Sequence, residues 1–265
     1  MSAAAAPRRR SPFTGGARIA MERVTGFAGL ILVIALLWQG TVWLFDIPRY
    51  LLPAPPAVAA AFAGHGGAIG GAALFTVVCT ILGMAISLVI ATLLAVAFIA
   101  SESLSRALMP LIVLIRTVPM IAIAPLIILI FGRGPGNSIG MVALLTFFQI
   151  MLAAKRGFLS PSPNALEMMH TYGASFWQTQ LKVRVPFAIP YIFTGLRIAA
   201  ASAILCAMFA EWLSGAPGLG RLILDAYSTQ DFPLMWATVL TSTFAAYMFF
   251  TLTLVVERVV LDWSR

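Results

Sequence analysis

Uncharged apolar runs set the first limit on what this chain can fold into. No charged residue occurs from Val24 to Phe45, a run bounded by Arg23 and Asp46. About 22 residues rising about 1.5 Å each reach about 30 Å, the thickness of a bilayer's hydrocarbon core. A second uncharged stretch, Tyr50 to Ser101, is longer still. In water such runs need a polar cover that this composition lacks. Only 10% of the residues are charged and 61% are apolar, whereas soluble domains carry about 25% charged residues. The sequence reads as an all-α integral membrane protein.

The first run exceeds the length of a signal-peptide core, and no small-residue cleavage site follows it, so it reads as a retained span. In the second stretch, Pro53, Pro55 and Pro56 with His65, Gly66, Gly67, Gly70 and Gly71 predict a loop before a span over residues 72–99. A third span, 108–131, contains Pro110, Arg116, Pro119 and Pro125 and is expected to bend. The remaining spans are expected at 139–154, 190–213 and 234–257, which makes six transmembrane helices.

Basic residues orient these spans. With the amino end inside, the internal side holds Arg8, Arg9, Arg10, Arg18, Arg23, Arg106, Lys155, Arg156, Lys182, Arg184, Arg258 and Arg265. The external side holds only Arg49, Arg133 and Arg221. Both termini are therefore expected in the cytoplasm. The domain organisation follows: a basic segment 1–23, a transmembrane domain 24–257 that includes a cytoplasmic loop 155–185, and a tail 258–265.

Several function classes lose support. The net charge of +8 is spread between apolar runs instead of forming one patch, which argues against a nucleic-acid partner. Cys79 and Cys206 lie inside apolar runs and form no metal or redox motif. The glycines at 132–136 lack the Lys-Ser/Thr ending of a phosphate loop, so any energy source must be another subunit or an ion gradient. A membrane enzyme would need facing catalytic groups, and the ionisable residues are scattered. An ion-coupled secondary transporter, for which no paired repeats or ion cluster are visible, and a structural membrane protein are the weaker alternatives.

The segment 155–185 is too charged to span, yet Leu166, Met169, Phe176 and Leu181 keep a helical apolar spacing. It predicts a cytoplasmic helix over 162–178, entered through Pro161 and Pro163, with Gly173 permitting a turn or a close contact. His170 has no acidic or metal-ligating partner in the pattern and reads as a surface residue.

Glu167, Gly173, Val183 and the pair Val185-Pro186 stand at the spacing of a known cytoplasmic signature, with Met168 and Met169 where alanines are usual. Around it occur, in order, Leu52-Pro53-Ala54-Pro55, Arg116-Thr117-Val118-Pro119, Phe147-Phe148, Gly195-Leu196-Arg197, Glu211-Trp212 and Pro217-Gly218-Leu219-Gly220. On these residues the chain resembles the permease subunits of binding-protein-dependent ABC importers, in the branch for nitrate, sulfonate, taurine and pyrimidine precursors. The resemblance implies a type I ABC-importer permease fold in a bacterial inner membrane. It also implies a permease homodimer with two ATP-binding subunits, which would hold the ATP and Mg, and an external substrate-binding protein. The chain itself would hold no cofactor and catalyse nothing, and its cargo would be a small molecule, a sulfonate, nitrate or a pyrimidine-like compound.

Contact with the ATPase falls, by resemblance, on Glu167, Met168, Met169, Tyr172, Gly173, Ala174 and Pro186. Candidates for a pathway or gate are Arg116, Phe147, Phe148, Arg197 and Glu211. For the two arginines, anchoring or pairing competes with a transport role, because charge near hydrocarbon is costly unless it pairs, snorkels or faces water. Glu211 is expected at the external interface, where a solvent-facing helix end competes with a gate.

Overall fold

A computed structural model describes residues 29–30 and 32–262. The basic segment 1–23, the start of the first apolar run and residues 263–265 of the tail lie outside the described residues. The chain divides into two compact units, Met1–Ala60 and Ala61–Arg265. In the first, helix α1 (Leu32–Leu44) occupies the first apolar run. A turn follows in which the Leu51 N–H donates to the Pro48 carbonyl at 2.9 Å.

Helix α2, Pro55–Ala100, runs for 46 residues. This corrects the loop expected before residue 72. Pro55 and Pro56 sit in the first turn, where a missing N–H costs nothing. The glycines that follow are separated by good helix formers such as Ala68. A glycine costs about 1 kcal/mol against alanine within a helix, which weakens the helix without ending it. The helix yields only at His65, whose φ of −117° and ψ of 17° make a kink.

The expected third span is two helices, α3 (Glu102–Thr117) and α4 (Met120–Phe131). They part at Val118-Pro119 because proline disfavours helical geometry in the residue before it. Helix α5, Pro135–Phe158, extends the expected fourth span at both ends, with proline again in its first turn. After it come α6 (Pro163–Thr171), α7 (Phe176–Thr179), a π-turn over Gln180–Arg184, and α8 (Val185–Ser214). The chain closes with α9 (Leu219–Ser228) and α10 (Phe232–Leu261). Asp231 caps α10, its carboxylate accepting the Leu234 N–H at 3.1 Å.

Among the described residues, four helical stretches are long and apolar enough to cross a membrane: Pro55–Ala100, Pro135–Phe158, Phe176–Ser214 and Phe232–Leu261. Leu32–Leu44 and Ala122–Phe131 are apolar but shorter. The fold is all-α and membrane-integral.

Helices α5 and α8 pack closely over much of their length. The basis of this contact is small residues: Ala199, Ala203, Ala207 and Ala210 are buried along α8, which lets the backbones approach. A Cβ added to Gly195 would lie 2.8 Å from the Ala153 Cβ, and one on Gly157 would lie 2.8 Å from the Ala188 Cα. Larger groups complete the core, with Ile127 from α4, Met141 and Val142 from α5, Ile204 from α8 and Phe249 from α10 in one cluster. At one end of the bundle Lys155 ties three helices together. Its Nζ donates to Ser105 Oγ on α3 at 2.8 Å and lies 5.5 Å from the centre of the Phe98 ring on α2.

Candidate functional site

The connection between α5 and α8 emerges at the Lys155 end. Ser162 caps α6, its Oγ accepting the Ala165 N–H at 3.3 Å, with Pro163 in the first turn. The helix stops at Thr171, not at residue 178 as the sequence reading has it. Gly173 takes a φ of +67°, and two hydrogen bonds close the end: Gly173 N–H to the His170 carbonyl at 2.9 Å and Ala174 N–H to the Met169 carbonyl at 3.0 Å. This is a Schellman termination, with glycine at the left-handed position that other residues enter at a cost. A Cβ on Gly173 would meet nothing within 4 Å, so Gly173 serves the turn and not a close contact within this chain.

A second cap starts α7 at once. Ser175 Oγ accepts the Gln178 N–H at 3.3 Å, and Gln178 Oε1 accepts the Ser175 N–H at 2.8 Å, a reciprocal capping box. The π-turn then feeds α8, and Arg184 fastens its end by donating to the Phe158 carbonyl at 2.9 Å. The result is a short helix, a sharp turn and a second short helix with its apolar side chains outward. Tyr172 is 81% exposed, Trp177 64% and Met168 53%. Glu167 and Gly173 are exposed as well, while Met169, Ala174 and Pro186 are half-buried.

The opposite end is organised by Glu211. The sequence reading favours a solvent-facing helix end, but the structure buries this residue completely. Its Oε2 accepts from Thr76 Oγ1 on α2 at 3.0 Å and from the Gly220 N–H at 3.0 Å. Thr76 Oγ1 also accepts the Leu219 N–H at 2.9 Å. A carboxylate from α8 and a hydroxyl from α2 therefore take up free N–H groups at the start of α9, where the helix dipole favours negative charge. Gly218 lies so close that an added Cβ would fall on the Glu211 carboxyl group. One bay over, Asn137 Nδ2 on α5 donates to the Ala210 carbonyl at 3.0 Å. Sequence reasoning singled out Glu211 and the Pro-Gly-Leu-Gly run but missed Thr76, whose place inside an apolar run carries no signal.

The remaining candidates are dispersed. Arg197 on α8 faces Glu257 on α10, with Nη1 3.7 Å from Oε2. Arg116 belongs to α3, and its side chain lies outside the described residues. Phe147 and Phe148 meet edge to face at 5.3 Å between ring centres. Phe148 enters the core, whereas Phe147 lines a cavity between α2, α4 and α5. Among the described residues no group of three or more His, Cys, Asp or Glu could hold a metal ion.

A double-mutant cycle tests the Arg197 geometry. The partly exposed pair should give a coupling energy of about 1 kcal/mol or less between Arg197→Ala and Glu257→Ala in thermal unfolding. If Arg197 serves the pair, Glu257→Ala should lower uptake as much as Arg197→Ala does. A large uptake loss confined to Arg197→Ala would instead place the guanidinium in the pathway.

Residues 87–263 match the sequence model of a family described as the inner membrane component of binding-protein-dependent transport systems. A probable ABC transporter permease protein of Haemophilus influenzae is 31% identical over 78% of this chain and 85% of its own length. The riboflavin transport system permease protein RibX of Chloroflexus aurantiacus is 31% identical over 90% of each chain. A structure of the MetNI methionine ABC transporter in inward-facing conformations shares the fold, with a TM-score of 0.57 and 21% identity over 71% of this chain and 91% of that one.

Proposed function

Since this chain belongs to the family of inner membrane components of binding-protein-dependent transport systems, and is thus a non-catalytic permease subunit of an ABC-type importer, we propose that α6, the Gly173 turn and α7 form the element that receives the stroke of a separate ATPase. The observation that carries this reading is the doubly capped connection that holds Met168, Tyr172 and Trp177 outward. Exposed aromatic and methionine side chains on a short element suit a protein cleft. Helix α8 continues directly from this connection to Glu211 at the other end of the bundle. A displacement of α6 and α7 is thereby delivered to the α8–α9 corner through one helix.

In this reading the connection and both termini are cytoplasmic, in keeping with the distribution of basic residues. The chain crosses the membrane six times, α1 and the α3–α4 pair providing the spans that are short or broken in the structure. Two copies form the pathway, two ATP-binding subunits with ATP and Mg supply the energy, and an external binding protein delivers a small nutrient. The coupling is an ATP-linked bias between inward-open and outward-open arrangements.

Sealed vesicles test the topology. With Cys79 and Cys206 replaced, a cysteine at position 170 should react only with reagent on the cytoplasmic side. Labelling from outside alone would overturn the orientation. The purified chain should hydrolyse no ATP until its ATPase is added, and substrate-dependent hydrolysis by the chain alone would overturn the division of labour.

A further inference from the structure

The cavity behind Phe147 has a volume of about 510 Å³, within the range of small-molecule sites. Its walls come from α2 (Ser87, Ile90), α4 (Phe131) and α5 (Gly140, Ala143, Phe147), and no charged residue lines it. An ion entering it would lose its hydration without gaining a counter-charge, so the cavity is unsuited to nitrate or a sulfonate. Two phenylalanine rings frame the space. Gly140 lets one of them lie against α5, since a Cβ there would come 3.2 Å from the Phe131 ring. Such walls favour a flat aromatic guest.

Ser87 supplies the second, independent observation. Hydroxyls inside these helices commonly return to a carbonyl of the preceding turn, as Thr80, Thr146 and Thr238 do at 2.8, 2.8 and 2.9 Å. Ser87 is 1% exposed, and its Oγ has no hydrogen-bond partner among the described residues. A lipid tail would leave that hydroxyl unsatisfied, whereas a carbonyl or ring nitrogen on a guest would satisfy it once the Ser87 side chain, shielded in this structure, turns its Oγ into the cavity it lines.

We propose that this cavity is an intramembrane binding station for an uncharged, flat heteroaromatic nutrient that hydrogen-bonds Ser87 through a carbonyl or ring nitrogen. The proposal rests on the permease reading and narrows its cargo.

Lumichrome, an uncharged tricyclic heteroaromatic, is the probe, titrated by its fluorescence against the full-length permease in lipid nanodiscs. Saturable binding is expected for the wild type and about tenfold weaker binding for Ser87→Ala. Ala143→Phe, which fills the space, should abolish it, and nitrate at millimolar concentration should not compete. Melting temperature checks that each variant is folded. Absence of saturable binding to the wild type overturns the station, as does equal affinity in a folded Ser87→Ala variant or displacement by nitrate. A co-purified acyl chain that Ala143→Phe expels, with no lumichrome bound to the wild type, assigns the cavity to lipid. Copurification of the ATPase with the wild type is read in parallel: if it persists while lumichrome fails to bind, the station is wrong and the permease reading stands.

Discussion

Gly220→Ala should leave little folded permease in the membrane. An added Cβ would fall on the Met208 carbonyl of α8, and a backbone carbonyl inside a helix cannot rotate away as a side chain can. The α9 backbone must lift from α8, which breaks the hydrogen bond from the Gly220 N–H to Glu211 Oε2. Overpacking a core costs about 1–3 kcal/mol, and a buried acceptor deprived of its donor adds about 1–3 kcal/mol, a large share of the stability of any domain. The check is the yield of monodisperse protein in mild detergent and its melting temperature. Gly70→Ala is the control, because nothing lies within 4 Å of its missing Cβ and alanine favours the helix. A Gly220→Ala variant that matches wild type would refute the close α8–α9 contact.

The neighbouring glycine sharpens the test. Gly218→Ala places its methyl on the Glu211 carboxyl group, so the two sites must be non-additive. Gly218→Ala should be severe alone and nearly neutral on a Glu211→Ala background, where the methyl inherits the vacated space. Equal cost on both backgrounds would show that Glu211 does not fill that space.

Much of the architecture could be read from the chain because membrane spans announce themselves locally. Runs of apolar residues mark α5, α8 and α10, and Pro119 marks the bend that becomes the break between α3 and α4. The start of α2 is not legible, for a physical reason. Gly66, Gly67, Gly70 and Gly71 carry a turn signal calibrated in water, where a freed backbone can bond to solvent. In the structure the same glycines remain helical, each costing only about 1 kcal/mol against alanine, and only His65 departs. The end of α6 is partly legible: Gly173 and the Ser175…Gln178 capping box are local signals for a helix end before residue 178. Glu211 shows the opposite limit. Its burial depends on Thr76, separated from it by 135 residues, and on glycines that bring α9 onto its carboxylate. Periodicity within α8 carries neither fact, and the empty hydrogen-bonding capacity of Ser87 is equally invisible to it.

The second large effect is expected at the other end of α8, where stability and function should separate. At Gly173 the φ of +67° is costly for a β-branched residue, by about 1–3 kcal/mol, and valine would relieve the strain by changing the course of the chain between α6 and α7. Because nothing lies within 4 Å of the position, steric crowding does not contribute, and the exposed turn is remote from the helical core. Gly173→Val should therefore keep its melting temperature within a few degrees of wild type while uptake in vesicles falls about tenfold or more, a barrier rise of about 1.4 kcal/mol. Asparagine tolerates the left-handed region, so Gly173→Asn should retain most of the uptake. Glu167→Ala removes an exposed charge and leaves a good helix former. It should weaken ATPase copurification without altering the turn. Uptake, ATP hydrolysis and copurified ATPase are compared at matched permease levels. Normal values of all three for Gly173→Val and Glu167→Ala would remove both residues from the coupling surface. Equal damage from valine and asparagine would mean that side-chain bulk at position 173, not backbone conformation, governs the contact with the ATPase.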